Sequence, residues 1–554
     1  MSEGLAAVTQ ILAVVLVLAI VHVPLGNWMA HVFTSPRHLA IERVIYRIVR
    51  VDPDADQRAT TYLMSLLGFS TASVLVLYLL ARAQSVLPAS GGMAGFSPAQ
   101  AWNTAISFVT NTNWQWYAGE SAVGHLLAML GLTVQNFVSA AVGLAVVIAL
   151  IRGLSRSTDG GRVGNFFADL VRGTLRVLLP IAFVFALVLV VGGVLQNLHG
   201  NVDVTTVTGG TQTILGGQVA SQESIKLLGT NGGGIFGANS AHPWENPTPW
   251  TNGIEILLML LVPFSLPRTF GVMVGDRRQG WSVLTAMGSL WAIGTALLTW
   301  AEMAAPGAVP QAAGAALEGK EVRFGPAASA LFAAVTTNTS TGAVNAAHDS
   351  LTAPGGGAAL FGMLLGEISP GGVGSGLYGM LVIAILAVFL AGLMVGRTPE
   401  YLGKKIGRAE ITPVALFILV TPAVVLVGAA LAAALPAGRA GILNTGPHGL
   451  SEVLYAFASA ANNNGSAFAG LAANSAFYNV ALGIAMLIGR YVPIALVLIL
   501  AGRFASQQTR PASSGTMPTH RPLFVALMVA VSLVVVGLTY IPVLSLGPIA
   551  ESLS

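Results

Sequence analysis

The residues whose chemistry is most suggestive form a short, polar, glycine-rich loop in an otherwise apolar chain: Leu228-Gly229-Thr230-Asn231-Gly232-Gly233-Gly234-Ile235. It holds no acid or base. It offers backbone carbonyls, a hydroxyl, an amide, and glycines free to take positive φ. Irregular polar backbone is tolerated at membrane depth only where it is buried in protein or lines a watery cavity. Rings of backbone carbonyls replace the hydration shell of potassium in channel filters. One loop cannot close such a ring, so the useful question is whether the chain repeats it.

Three further loops qualify. They are Thr336–Gly342 with Ser340-Thr341-Gly342, Ala461–Ser466 with Asn463-Asn464-Gly465, and, less regularly, Thr110–Gln115 with Asn113-Trp114-Gln115. Aligned on Thr230-Asn231-Gly232, they place Gln115, Gly232, Gly342 and Gly465 at equivalent positions, roughly 110 to 125 residues apart. The expected ion-contacting set is therefore Thr112, Asn113 and Gln115; Thr230, Asn231 and Gly232; Ser340, Thr341 and Gly342; and Asn463, Asn464 and Gly465. Three loops supply glycine where a carbonyl ring needs unusual backbone. The first supplies Gln115, whose side-chain amide either ligates or narrows the ring. No Asp or Glu lies inside the four loops. Neutral oxygens release a bound ion again, whereas Ca²⁺ and Mg²⁺ favour carboxylates. The set points to a weakly held monovalent cation.

The elements that must position these loops are membrane helices. The chain has 554 residues, of which 54% are hydrophobic and only 9% charged, with mean hydropathy +0.75. A soluble protein would carry about 25% charged residues. The expectation is an all-α polytopic membrane protein. There are no cysteines, which excludes thiolate metal sites and disulfides, and the nine histidines show no metal-ligand spacing such as HExxH. Ten apolar runs are long enough to span: Leu5–Val23, Thr61–Ala81, Leu126–Ile151, Val177–Val194, Gly253–Val274, Trp281–Trp300, Tyr378–Val395, Val414–Leu435, Ala476–Leu500 and Leu523–Val543. The stretches Pro98–Thr110, Gln222–Leu228, Pro326–Val335 and Glu452–Ala460 are too short to cross and precede the four loops.

The pattern is four helix–pore-loop–helix units around a central filter, with one extra helix at each end. The expected boundaries are 1–60 for the N-terminal helix and its loop, 61–176, 177–280, 281–411 and 412–502 for the units, and 503–554 for the last loop and helix. Basic loops at 35–50, 152–176, 275–278, 397–408 and 503–521 all fall on one side. The positive-inside rule makes that side cytoplasmic and both termini extracytoplasmic. Two stretches, Pro263–Gly275 and Gly355–Gly376, read as interruptions of the inward helices.

Charges within apolar runs are the second signal. Arg490 lies in the last inward helix of the four units, below its loop. Inserting a central Arg costs at least about 2.5 kcal/mol. It is either a fixed positive charge that bars cation leakage or a cap on a helix end, for which Pro493 speaks. Arg397 is either part of that barrier or a plain positive-inside residue. Glu120, Glu223, Lys226, Glu245 and Glu452 fall near the outer mouth, where acidic groups concentrate cations. A solvated rim is the simpler reading of them. The aspartates, including Asp169, read as loop residues, which leaves no acid pair for an intramembrane hydrolase.

The strings GTNGGG at 229–234, AHPWENPTPWTN at 241–252, GRTPEYLGKKIG at 396–407 and NNNGSAF at 462–468 closely resemble the A-subunit family of Kdp-type potassium-transporting ATPases. That family belongs to a superfamily of potassium transporters built from four such units. The resemblance covers essentially the whole chain. It implies a potassium-binding subunit in a bacterial inner membrane that selects K⁺ from outside and passes it through an intramembrane tunnel to a P-type ATPase B subunit. A C subunit and a small F subunit complete the complex. By this resemblance Gln115, Gly232, Gly342 and Gly465 match filter positions and Arg490 the charge beneath. The chain contains no GxxxxGK[ST] and no Asp-Lys-Thr-Gly-Thr sequence, so ATP is expected to be used by a partner, and neither a nucleotide nor a nucleic acid is an expected ligand. Membrane lipid is the surrounding solvent. The alternative is a stand-alone channel or symporter of the same superfamily.

Overall fold

The computed structural model describes residues 3–304, 316–396, 398–511 and 516–553. Among them ten helices are long and apolar enough to cross a membrane, so the chain is a multi-pass membrane protein. The N-terminal helix α1 (Glu3–Thr34) is followed by four units. The first comprises α2 (Ala59–Ala83), the short α3 (Pro98–Val109) and α4 (Val134–Ser155). The second comprises α5 (Leu179–Val191), α6 (Val219–Leu228) and α7 (Pro249–Met273). The third has α8 (Arg277–Ala304), α9 (Gly325–Asn338), α10 (Ala353–Leu364) and α11 (Ser375–Val395). The fourth has α12 (Arg408–Ala434), α13 (Gly446–Asn462) and α14 (Ala476–Ser506), and α15 (Pro522–Leu544) closes the bundle. Single π-helical segments at Leu127–Thr133 and Gly173–Leu178 lengthen α4 and α5 at their N-terminal ends.

Local sequence explains where the helices start. Ser97 caps α3 through a reciprocal bond with Gln100, with Pro98 in the first turn. Thr248 and Pro249 begin α7 in the same way, and Ser475 caps α14. Within each unit the second long helix is the buried one. The span that contains α4 is 83% buried over its apolar core, against 22% for the span that contains α2. Helix α4 touches α7, α11 and α14, so the inner helices of all four units meet around it. Helix α1 lies along α7, and α15 lies against α8 and α11.

Four sequence expectations change. The first span continues through Pro24 to Thr34, because Gly26 presses against the Ser265 carbonyl and the Arg268 side chain of α7 and keeps the two helices packed. Helix α7 runs unbroken through Pro263 and Pro267 to Met273, so no interruption occurs at 263–273. Ser265 Oγ donates to the Leu261 carbonyl within that stretch, the kind of side-chain bond that lets membrane helices keep proline. The break expected at Gly355–Gly376 is narrower. Gly355, Gly356 and Gly357 are helical in α10, and the chain leaves the helix only between Leu364 and Ser375. Asp169 is helical as well, in Phe166–Arg172, where it is buried and pairs with Arg152 Nη1 at 2.6 Å.

Candidate functional site: a ring of four loops

The four short helices α3, α6, α9 and α13 each end in the same backbone sequence of events. A residue with positive φ comes first: Asn111 at 66°, Thr230 at 49°, Ser340 at 57° and Asn463 at 58°. The N–H of the next residue reaches back five positions, Thr112 to Ser107, Asn231 to Lys226, Thr341 to Thr336 and Asn464 to Ser459, at 2.8 to 3.2 Å. A second positive φ follows: Asn113 at 55°, Gly232 and Gly342 at 84°, and Gly465 at 107°. This register corrects the alignment of the first loop. Asn113, not Gln115, stands where the other loops place glycine, and Gln115 stands level with Gly234. The first loop has no glycine to reveal this from sequence. Asn is the residue that takes the left-handed region next most readily.

The loops close on one another in chain order. A Cβ added to Gly232 would overlap the Thr341 carbonyl; one on Gly342 would overlap that of Asn464; one on Gly465 would overlap that of Thr112. These three seams therefore require glycine for close approach as well as for φ. The seam between the first and second loops is made by side chains. Asn113 Nδ2 donates to the Gly232 carbonyl at 3.1 Å and to Asn136 Oδ1 at 2.6 Å. Gln115 exchanges two bonds with Gly234, Nε2 to its carbonyl and Oε1 from its N–H, each 3.0 Å. A hydrogen-bonded girdle backs the ring. Asn111 Nδ2 donates to the Thr230 carbonyl at 2.8 Å, Ser340 Oγ to the Asn463 carbonyl at 3.0 Å, and Asn463 Nδ2 to Thr112 Oγ1 at 3.0 Å. All twelve residues named from sequence thus lie in one ring, and a space of about 430 Å³ opens over it, lined by Asn113, Gln115, Gly233, Gly342 and Gly465 among others.

Buried charge backs the second loop and lies on α13. Glu223, Lys226, Glu245 and Glu452 are buried and not a solvated rim; Glu120 alone of that group is half-buried. Lys226 Nζ donates to the Gly233 carbonyl at 2.7 Å and lies 2.5 Å from Glu223 Oε1 and 3.0 Å from Glu245 Oε2. Glu245 also accepts from the Phe236 N–H at 2.8 Å. Burial pushes the Glu245 carboxyl up, but Lys226 and these donors outweigh it and the net direction is down. Burial wins at Glu223, which is pushed well up despite Lys226. The sequence places these residues near the mouth and cannot show that short helix α6 turns them inward. Glu255 and Glu367, to which the sequence assigns no role, are buried as well. Glu367 accepts from Asn464 Nδ2 at 2.7 Å, which brings a carboxylate against the fourth loop. An acid in the apolar, glycine-rich stretch between α10 and α11 was the available signal.

Beneath the ring, Arg490 is buried and its Nη2 donates to the Ser139 carbonyl at 3.1 Å. The Ser139 hydroxyl in turn donates to Asn111 Oδ1 at 2.7 Å, so one residue separates the guanidinium from the ring. The 365–374 segment lies there too. The Val373 N–H donates to Thr230 Oγ1 at 3.0 Å, and Gly143 and Gly374 meet with no room for a Cβ on either. Arg397 lies outside the described residues.

The family model for the potassium-transporting ATPase A subunit matches residues 12–553 of the chain. The chain is 62% identical over 540 residues to the potassium-transporting ATPase potassium-binding subunit of Kineococcus radiotolerans, with 97% of each covered. It is 58% identical over 554 residues to that of Streptomyces coelicolor and 57% over 556 residues to that of Mycobacterium avium, with both chains fully covered. Among solved structures, the potassium transporter TrkH from Vibrio parahaemolyticus matches with TM-score 0.52 at 13% identity, covering 87% of this chain and 98% of that one. That likeness concerns the fold.

Proposed function

This chain belongs to the potassium-transporting ATPase A-subunit family, and from that premise we propose that it is the ion-selecting, non-catalytic subunit of an ATP-driven potassium uptake complex. The ring is the selectivity filter, K⁺ its ligand, and the twelve loop residues its wall. The observation that carries this reading is ring closure: four loops, one register, seams 2–3, 3–4 and 4–1 shut by glycine against carbonyl. Neutral oxygens compensate dehydration of a monovalent ion without holding it. The C-terminal ends of four short helices abut the ring, and each carries partial negative charge. Asn113 and Gln115 make the filter asymmetric at one seam.

Arg490 is the charge that discourages cations from continuing straight through, so that the ion leaves sideways, through an intramembrane tunnel, to a P-type B subunit assisted by C and F subunits. The units divide at 61–176, 177–280, 281–411 and 412–502, with 1–60 and 503–554 outside the repeat. The basic loops face the cytoplasm of a bacterial inner membrane and both termini face out.

The test is potassium-stimulated ATPase activity of the chain alone and co-expressed with a P-type subunit and its accessories. Activity only in the complex, with potassium dependence altered by Gly232 and Gln115 substitutions, is expected. Passive potassium flux through the chain alone in liposomes, with no stimulation by the partner, would assign it instead to the channels or symporters.

A further inference from the structure

A second group of ligating side chains lies away from the ring, at the N-terminal end of α13. His448 and Glu452 are one turn apart on that helix and so share a face. Asp349 joins them from the turn that follows the third loop, and the three ligand atoms lie within 4.8 Å of one another. His448 Nε2 is 3.0 Å from Asp349 Oδ1, close to the roughly 3.3 Å between neighbouring ligands of a tetrahedral ion with bonds of about 2.0 Å. The other ring nitrogen, Nδ1, is 2.8 Å from Glu551 Oε1 in the C-terminal segment. An imidazole with one nitrogen on a carboxylate and the other facing a ligand cluster is the usual arrangement of a metal-bound histidine.

Two features of the cluster suit a cation. Glu452 is fully buried, Asn444 Nδ2 serves its Oε1, and its Oε2 has no hydrogen-bond partner among the described residues. A buried carboxylate oxygen without a partner is costly. Glu452 Oε1 and Asp349 Oδ2 also both crowd Gly470, which leaves no room for a Cβ there and brings the two carboxylates together on one side of the cluster. Three carboxylates thus face a single imidazole, and like charges this close are held together by a cation or by protonation. Asp349 and His448 keep about a fifth of their side chains exposed, so an ion has access from solvent.

We propose that Asp349, His448 and Glu452 form a binding site for a transition-metal dication of the zinc type, with Glu551 orienting the histidine. One nitrogen with carboxylate oxygens suits Zn²⁺ better than Mg²⁺. The site joins the turn after the third loop, helix α13 and the C-terminal segment. The His448 ring stacks on Phe468, just past the fourth loop, at 5.7 Å between centroids, so an occupied site stiffens the fourth-loop side of the vestibule.

The test is zinc content after equilibrium dialysis of the purified full-length chain, or of the complex, first stripped with EDTA. One zinc per chain is expected for the native protein and for His199→Ala, a control on an exposed histidine far from the cluster. His448→Ala and Glu452→Gln should take up none. Glu551→Gln, at a partly exposed position that burdens folding little, should bind about tenfold more weakly. Absence of zinc from the native chain would overturn the proposal and leave His448 as an ion-paired imidazolium. Retention of zinc by both His448→Ala and Glu452→Gln would overturn it as well.

Discussion

Three seams of the ring and the fourth solve one problem by opposite means. Between the second, third and fourth loops, and from the fourth back to the first, glycine lets one backbone lie directly against the next carbonyl. Between the first and second loops, Asn113 and Gln115 reach across with side-chain amides. Glycine contacts fix distance by steric exclusion and tolerate no added atom. Amide contacts fix it by hydrogen bonds, which are each worth about 1 kcal/mol net and can be exchanged. The glycine seams are the rigid part of the ring and the amide seam is its adjustable part.

The largest effects should fall on the glycine seams. Gly232→Ala, Gly342→Ala and Gly465→Ala each drive a Cβ into a neighbouring carbonyl and also disfavour a positive φ. Each should raise the potassium concentration for half-maximal ATPase stimulation of the complex by about 100-fold, near 2.7 kcal/mol. Gly232→Asp adds a carboxylate and should blur K⁺ over Na⁺ and Rb⁺ discrimination as well. The contrast sharpens with Asn113→Gly, which removes a side chain from the fourth seam without adding a clash. A shift there equal to that of the glycine variants would sink the division into rigid and adjustable seams.

The charge behind the second loop shows in fold stability and not in potassium affinity. Lys226→Met removes the ammonium that holds the Gly233 carbonyl and leaves Glu245 buried without its cation. Breaking such a pair costs about 3 to 5 kcal/mol, so the variant should unfold at a clearly lower temperature in detergent. Glu245→Gln combined with Lys226→Met should recover part of that loss, because no uncompensated carboxylate remains at 245. Additive losses in the double variant would show that the two residues act separately.

Gln115 separates what was legible in the sequence from what was not. Four loops at similar spacing, between runs of apolar residues, follow directly from the chain, and so does an all-α bundle of ten spans. The register of the first loop does not. A glycine announces positive φ, but Asn111 and Asn113 adopt it without announcing it, so a glycine-based alignment of the first loop falls two residues late, on Gln115. Burial at the mouth was hidden for a related reason. Glu223 and Lys226 sit one turn apart on a helix of ten residues, too short to show a periodic apolar face. The bend at 365–374 was visible as glycine, yet the acid it carries, Glu367, has its meaning only through Asn464, ninety-seven residues away in sequence. Gln115→Ala deletes both bonds to Gly234. Selectivity between K⁺ and Rb⁺ should fall by roughly tenfold, about 1.4 kcal/mol, with fold stability unchanged.

The smallest effect concerns the girdle, where equivalent positions do the same work with different residues. Asn111 and Ser340 both occupy the first positive-φ site, and each donates to carbonyls of the following loop. Asn111 also accepts from Ser139 and Asn231, at 2.7 and 2.6 Å, which ties the amide seam to the inner helix and to the chain above Arg490. The Ser340 hydroxyl also faces the Glu367 carboxyl. Ser340→Ala loses a single hydroxyl, about 1 kcal/mol or a fivefold weaker apparent potassium affinity. Asn111→Ala strands two buried donors in addition and should cost more than Ser340→Ala in the same ATPase titration. If the two variants behaved alike, the extra bonds at Asn111 would carry no weight, and the amide seam would owe its geometry to Asn113 and Gln115 alone.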